Sequence, residues 1–184
     1  MPCVDEIFKK KIEKEYEILV EKYPSYFKND INNILCLSHG DYRPSNILGK
    51  MKNGEVDEVI AVDYQFVWYG CPVYDFINIL YFSTDRDFRK AHMSDLKDLY
   101  HETLSTFLKY FDIDSESVYP RKEFEKAYKD KLDFGLARSL IFLVFAFVPE
   151  DGVIDLINFN FHANELFKAK IRGVIEDYIE WGYL

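Results

Sequence analysis

Leu37-Ser-His-Gly-Asp-Tyr-Arg-Pro-Ser-Asn46 is followed in this chain by a second motif, Ile60-Ala-Val-Asp63. Turn-forming glycine and proline residues flank Asp41, which predicts that its side chain lies on a loop. Asn46 comes five residues after Asp41, so a loop that folds back can direct both side chains into one cleft. Asp63 ends an apolar run that predicts a strand. The two motifs therefore indicate one site built on loops at strand ends.

The order of these residues indicates phosphoryl-transfer chemistry. That reaction needs a carboxylate that orients and deprotonates an attacking hydroxyl, and oxygen ligands that hold Mg²⁺ against phosphates. Each residue alone is a weak signal, because an Asp beside Gly and Pro is usually a turn former. The combined spacing His-x-Asp-x4-Asn, followed by apolar-apolar-Asp, resembles the catalytic loop and metal-binding Asp of the kinase superfamily. The second motif continues Asp63-Tyr64-Gln65 without a glycine, which argues against a protein kinase.

Composition indicates a folded globular chain. The 184 residues are 48% hydrophobic and 17% aromatic, and this length predicts a single domain over residues 1–184. The formal net charge of −9 disfavours a nucleic-acid surface, which needs clustered Lys and Arg. An acidic protein that handles phosphates needs cations between itself and those phosphates, which agrees with a Mg²⁺ site.

The cysteines and apolar runs bear on compartment and membrane association. Cys3, Cys36 and Cys71 are odd in number and form no C-x-x-C pair, which disfavours a disulfide framework or zinc site. The run Leu140–Val148 is too short to span a bilayer, and the N-terminus shows no signal-peptide pattern. We therefore expect a cytoplasmic protein without a membrane partner.

Hydrophobic periodicity predicts an α+β, mostly helical fold with a small β hairpin at the active site. A short strand is predicted over Leu35–Ser38, and a hairpin around the Asn53-Gly54 turn, with Ile47-Leu48 on one side and Val56–Val62 on the other. Helical spacing of apolar residues predicts helices over five segments, residues 5–21, 73–82, 94–111, 120–147 and 160–181.

The motifs resemble the ecdysteroid kinase-like family, also called CHK kinase-like, within the aminoglycoside phosphotransferase and choline kinase clan. The resemblance runs from about residue 11 to the end and is most specific over Leu37–Thr84. The matching segments are Cys36–Asp41, Asn46–Leu48, Val62–Gln65, Tyr69–Val73 and Asp75-Phe76. The implied fold is the C-terminal lobe of a protein kinase-like fold, as in aminoglycoside phosphotransferases.

The resemblance implies a role for each matching residue. Asp41 matches the catalytic base of the family, and Asn46 and Asp63 match its Mg²⁺ ligands. His39 matches the motif histidine and Asp75 an aspartate that ties the following loop to the catalytic loop, and both organise the loop. The implied cofactors are Mg²⁺ and ATP as phosphate donor.

Two further positions concern the surroundings of the site. Gln65 stands where choline kinase relatives often carry an acidic residue near the metal, so it is a candidate for supporting the metal site. Arg43 departs from the family pattern, in which many members carry an aromatic residue, usually Trp. This departure concerns the substrate rather than the phosphoryl-transfer chemistry.

The resemblance also implies an N-terminal lobe that grips ATP, with a β-sheet and a phosphate-binding lysine. The residues before Leu37 predict a helix and a short connector, without a glycine-rich phosphate loop. We therefore expect this chain to represent the C-terminal lobe alone, inactive without an N-terminal lobe. A partner that covers the interface with that lobe is expected as well.

Three functions remain open from the sequence. The first is an ATP-dependent O-phosphotransferase acting on a hydroxyl of a small molecule, with steroids as one candidate class. The second is a non-catalytic binding protein, or truncated pseudokinase, that retains the C-lobe. The third, a metal-dependent hydrolase using Asp41 and Asp63, lacks the additional His or carboxylate ligands that such sites usually supply.

The expected absence of an ATP-gripping lobe predicts weak nucleotide binding. The 184-residue polypeptide should not bind Mg-ATP with micromolar affinity, because one Asn and one Asp cannot position the adenine and the α- and β-phosphates. Isothermal titration calorimetry of the purified chain checks this. Micromolar binding would show that the residues before Leu37 form a nucleotide clamp.

Overall fold

The structure is a computed structural model that describes residues 6–28, 34–147 and 164–184. Helices predominate in these residues. They are α1 (Glu6–Lys22), α2 (Val73–Ser83), α3 (Arg86–Lys109), α4 (Ser115–Val118), α5 (Arg121–Asp130), α6 (Leu132–Phe142) and α7 (Glu165–Glu180). The strands are β1 (Cys36–Ser38), β2 (Ile47–Lys52), β3 (Glu55–Ala61) and β4 (Trp68–Gly70). The predicted α+β, mostly helical class is confirmed.

The chain divides into two compact units. One unit combines Met1–Lys28 with Asp133–Leu184, and the other comprises Asn29–Leu132. The sequence motifs at residues 37–46 and 60–63 lie in the second unit. The expectation of a single domain over residues 1–184 stays a prediction.

Aromatic packing holds the first unit together at the end of α1. Tyr23 stacks on Phe134 of α6, with ring centroids 6.3 Å apart. The hydroxyl of Tyr23 accepts a hydrogen bond from Arg138 Nη1 at 3.0 Å. Asp133, at the start of α6, forms an ion pair with Lys22 and accepts a hydrogen bond from the Tyr26 hydroxyl at 2.7 Å. Polar and apolar contacts therefore join α1 to α6 within this unit.

The core of the second unit is a cluster of aromatic rings from α2, α3 and α5. Phe124 of α5 is fully buried and stacks on Tyr100 of α3, with ring centroids 4.9 Å apart. Phe76 of α2 contacts both rings edge-on or tilted, at 5.6 Å and 5.2 Å respectively. Aromatic pairs at these separations add to the stability gained from burial. This cluster holds α2, which carries Asp75, against the rest of the unit.

Two small antiparallel sheets complete the second unit. β1 pairs with β4, with Cys36 opposite Gly70 and Ser38 opposite Trp68. β2 and β3 form the predicted hairpin. Asn53 and Gly54 both adopt positive φ, of 54° and 84°, as a two-residue hairpin turn requires. The hairpin prediction is confirmed, whereas β4 had not been predicted.

The hairpin exposes apolar side chains to solvent. Val59 on β3 faces the same side as Met51 and Val56, and all three are more than half exposed. On the opposite face, Lys50 forms an ion pair with Glu58 across the strands, with N and O 2.9 Å apart. The hairpin therefore presents both apolar and charged side chains to solvent.

Two of the predicted helix boundaries are wrong. The helix expected over residues 120–147 is divided into α5, α6 and a 3₁₀ turn over Leu143–Ala146. Lys131 separates α5 from α6 with φ −110° and ψ 11°, where the chain passes from one compact unit to the other. Apolar residues recur at helical spacing on both sides of this break. Periodicity therefore does not reveal that the two helices belong to different compact units.

The second wrong boundary is the start of α3, which begins at Arg86 instead of residue 94. Asp85 caps this helix by accepting a hydrogen bond from Phe88 N at 2.8 Å. An aspartate cap followed by polar residues is a start signal that apolar periodicity does not reveal. The predicted last helix began at residue 160, which lies outside the described residues, and α7 is seen from Glu165.

Within residues 6–28, 34–147 and 164–184, no helix combines the length and apolar character that crossing a bilayer demands.

The aromatic cluster predicts a large difference between two Phe substitutions. Phe124→Ala should lower the free energy of unfolding by roughly 3–5 kcal/mol, because it removes a fully buried ring. Phe111→Ala is the matched control, since that ring is 61% exposed, and it should change stability by about 0.5 kcal/mol or less. Denaturant unfolding followed by circular dichroism measures both. Equal losses would show that the cluster is not the core of this unit.

Candidate active site

The first motif forms a loop between two strands. The loop leaves β1 at Ser38 and enters β2 through a 3₁₀ turn over Pro44–Asn46. β1 is held in place by its pairing with β4, which immediately precedes α2. The loop of the candidate site therefore starts from the β1–β4 strand pair, and α2 follows β4 in the chain.

The carboxylate of Asp75 anchors this loop to α2. It accepts hydrogen bonds from His39 N at 2.6 Å and from Gly40 N at 3.0 Å. Asp75 lies in the first turn of α2, where a negative charge is favourable to the helix. One side chain thus binds two consecutive backbone amides of the loop.

Gly40 has a conformation that other residues rarely adopt. Its φ is +82°, in the left-handed region that favours glycine. A Cβ atom at this position would lie 2.2 Å from the carbonyl oxygen of Phe66. The loop therefore passes so close to the backbone that follows Asp63 that residue 40 has no space for a side chain.

His39 connects the loop to the end of the hairpin. Its Nδ1 accepts a hydrogen bond from Asp41 N at 3.3 Å, and its Nε2 lies 2.9 Å from the carbonyl oxygen of Val62. A neutral ring with the proton on Nε2 satisfies both contacts. The ring is buried and packs on Tyr64, with ring centroids 4.6 Å apart. Both ring nitrogens therefore contact backbone atoms, one within the loop and one at the end of the hairpin.

Asp41 and Asn46 are buried and in direct contact. Asn46 Nδ2 donates to the backbone oxygen of Asp41 at 2.9 Å and to Asp41 Oδ2 at 3.1 Å. Arg43 Nε donates to the same carboxylate oxygen at 2.9 Å. The carboxylate therefore has a defined orientation and a cation beside it.

Asp63 lies at the end of the hairpin strand with unusual backbone geometry. It adopts the left-handed conformation, with φ 67° and ψ 59°, and its side chain is exposed. Gln65 Nε2 donates to Asp63 Oδ2 at 3.3 Å. The preceding residue, Val62, donates its N–H to Asn46 O at 2.9 Å. The backbone before Asp63 is thus bonded to Asn46, although no side-chain hydrogen bond among the described residues joins Asp63 to Asn46 or Asp41.

The donor set agrees with a Mg²⁺ site that is completed by phosphate. The amide nitrogen of Asn46 donates to Asp41, whereas its Oδ1 makes a long 3.4 Å contact with Ser45 Oγ. Amide and carboxylate oxygens are ligands that Mg²⁺ prefers, together with water and substrate phosphates. In the described part of the chain, no group of three or more His, Cys, Asp and Glu residues forms a metal site. The residue types of Asn46 and Asp63, an amide and a carboxylate, fit the oxygen ligands that Mg²⁺ accepts.

Two cysteine thiols lie near this loop. Burial raises the pKa of the Cys36 thiol at the start of β1. Burial likewise raises the pKa of the Cys71 thiol, which precedes α2. In both cases burial disfavours the thiolate, which is the reactive form of cysteine.

Three contacts of the site were not anticipated from the sequence. They are the bond of Arg43 to Asp41, the approach of Gly40 to Phe66, and the bond of His39 to Val62. The sequence did contain a signal for the contact between Arg43 and Asp41, because Arg43 is the only Lys or Arg within residues 37–46. The other two join segments more than twenty residues apart, and each ends on a backbone carbonyl oxygen, which leaves no pattern in side-chain type.

Comparison with known protein families identifies a match over residues 2–113 to the ecdysteroid kinase-like family. This match covers more than half of the chain and includes the candidate residues, His39, Asp41, Asn46, Asp63, Gln65 and Asp75. Neither the curated proteins nor the solved structures give a match. The α+β, mostly helical architecture agrees with the C-terminal lobe of a kinase-like fold.

The approach of Gly40 to Phe66 predicts a selective effect of alanine. Gly40→Ala should lower the free energy of unfolding by about 2 kcal/mol or more, because it combines positive φ with a backbone clash. Gly49→Ala on β2 is the matched control, since a Cβ there meets nothing within 4 Å. Denaturant unfolding of both variants measures the difference. Similar stability of both would contradict the close passage of the loop.

Proposed function

Because this chain belongs to the ecdysteroid kinase-like family, we propose that it transfers the γ-phosphoryl group of ATP to a hydroxyl of a small molecule. Membership of this family suggests a kinase-like phosphotransferase activity, which supports the proposal. The observation that carries the proposal is the buried Asp41 carboxylate, oriented by hydrogen bonds from Asn46 and Arg43 on an anchored loop.

Asp41 is the proposed general base. The attacking hydroxyl would donate its hydrogen bond to this carboxylate and lose its proton to it as the new oxygen–phosphorus bond forms. The role needs a carboxylate held in one orientation, because phosphoryl transfer depends mainly on positioning and electrostatics. The bonds that Asp75 and His39 make to the loop backbone support this role by holding that loop.

Asn46 and Asp63 are the proposed Mg²⁺ ligands. The ion would supply positive charge against the β- and γ-phosphates of the nucleotide. Gln65 would steady the Asp63 carboxylate, since its amide donates to Oδ2. The bond from Val62 N to Asn46 O supports the pairing, because it joins the two segments that carry the ligands.

The proposed partners are a hydroxyl-bearing small molecule, with steroids as one class, and a protein surface that covers the hairpin. The exposed side chains of Met51, Val56 and Val59 support the second proposal. A nucleotide-gripping lobe is the kind of segment that would contact this patch. The proposal includes neither nucleic acid nor membrane as partner, and it assigns the reaction to the cytoplasm.

A second candidate function has one specific observation in its favour. An open apolar pocket of about 620 Å³ lies between α2 and α3 in the second unit. Its lining includes Ile79, Leu80, Leu96, Leu99, Leu104 and Phe107. This pocket favours a non-catalytic protein that binds an apolar small molecule, a function that would not require Asp41.

Substitution of Asp41 tests the catalytic proposal. In a polypeptide that carries an ATP-gripping lobe, Asp41→Ala should lower turnover by roughly 10²-fold or more, as expected for loss of a general base. ATP consumption is measured against hydroxylated steroids, choline and aminoglycosides. Asp57→Asn on β3 is the control for loss of one carboxylate in the same unit.

Circular dichroism of each variant establishes that the fold is retained. Turnover of Asp41→Ala within a few-fold of the unmodified protein, with an unchanged spectrum, would exclude Asp41 as the base. Ligand binding that survives Asp41→Ala, without ATP consumption by any variant, would favour the apolar binding protein.

A further inference from the structure

Arg43 makes the contact of the candidate site that family membership does not account for. Its backbone is extended, with φ −143° and ψ 163°, at the start of the Pro44–Asn46 turn. Its side chain folds back so that Nε donates to Asp41 Oδ2 at 2.9 Å. A guanidinium group therefore lies directly against the proposed base.

The contact with Asp41 occupies only a small part of the guanidinium. Nε carries one of its five N–H donors, and Nη1 and Nη2 carry the other four. Among the described residues, the bond to Asp41 is the only hydrogen bond or ion pair of this side chain. The side chain of Arg43 is 28% exposed, compared with 13% for Asp41, so the arginine is the more accessible of the two from solvent.

The charge balance of the site indicates what those nitrogens would bind. Asp41 and Asp63 contribute negative charge where a polyanionic phosphate chain would have to approach, and the whole chain carries a net charge of −9. Within residues 37–46, Arg43 is the only Lys or Arg. A planar guanidinium fork matches two oxygens of one phosphoryl group and stays charged at every physiological pH.

We propose that Arg43 is a phosphoryl-binding residue, which holds Asp41 through Nε and the transferring phosphoryl group through Nη1 and Nη2. This inference rests on the proposed phosphotransferase function. In the reaction, the substrate hydroxyl oxygen bonds to the γ-phosphorus of a nucleoside triphosphate, and the bond from that phosphorus to the nucleoside diphosphate breaks. The hydroxyl proton passes to Asp41, and the diphosphate leaves with the electron pair of the broken bond. Arg43 would neutralise charge on the equatorial oxygens throughout.

Direct binding of a phosphate chain tests this proposal without any need for turnover. The probe is inorganic tripolyphosphate with Mg²⁺, titrated into the 184-residue chain and followed by ³¹P NMR. Arg43→Gln should weaken binding by roughly 10-fold or more, because it removes a charged bidentate donor. Arg43→Lys keeps the positive charge but loses the planar fork of donors. Its affinity for tripolyphosphate should lie between those of the unmodified chain and Arg43→Gln.

Lys52→Gln is the matched control, because it removes one exposed cation from β2 in the same unit. It should change affinity by less than about 2-fold, since exposed charges at a distance are screened. Circular dichroism and thermal unfolding establish that every variant is folded. If Arg43→Gln fails to fold, the comparison of Arg43→Lys with the unmodified chain decides the matter.

Asp63→Asn separates this inference from the proposed function. Binding that needs Mg²⁺ and is lost in Asp63→Asn, yet is unchanged in both Arg43 variants, would overturn the role of Arg43 and leave the metal site intact. If Arg43→Gln weakens tripolyphosphate binding, but neither removal of Mg²⁺ nor Asp63→Asn changes it, the phosphoryl-binding role of Arg43 would be supported and the metal site overturned. Absence of any tripolyphosphate binding by the unmodified chain would overturn the role of Arg43.

Discussion

The geometry of the candidate site depends on a single carboxylate and two backbone amides. Asp75 accepts hydrogen bonds from His39 N and Gly40 N, and thereby joins the loop to the first turn of α2. α2 is itself held by the aromatic cluster around Phe124. Burial of apolar rings is non-directional and would tolerate small displacements of the loop. The paired hydrogen bonds convert that packing into a defined loop position.

From this anchor, hydrogen bonds lead from one motif to the other. Asp41 N donates to His39, whose ring contacts Val62 O, and Val62 N donates in turn to Asn46 O. Both links end on the backbone of Val62, one on its carbonyl oxygen and one on its N–H group. Val62 directly precedes Asp63. Residues separated by a whole hairpin in the sequence therefore share one network. A displacement of the hairpin would be transmitted to Asp41 through these bonds.

The features that could be predicted from the sequence are those determined by neighbouring residues. The hairpin turn at Asn53-Gly54 and the helix over residues 73–82 were correct, because both depend on residues adjacent in the chain. The break at Lys131 was missed, since it reflects the passage between two compact units. The four motif residues of the site were proposed from their spacing, whereas the contact of Arg43 with Asp41 became visible only in three dimensions. Spacing indicates which side chains share a loop, but not how they orient.

The close passage of Gly40 has a consequence for how this sequence can change over time. The nearest obstacle to a side chain at residue 40 is the main-chain oxygen of Phe66, which every amino acid possesses. A second substitution at residue 66 therefore cannot relieve a larger residue at position 40. Most steric conflicts in proteins can be compensated by trimming the neighbouring side chain, and this one cannot. No substitution at residue 66 can therefore compensate for a side chain at position 40, and the backbone itself restricts this position to glycine.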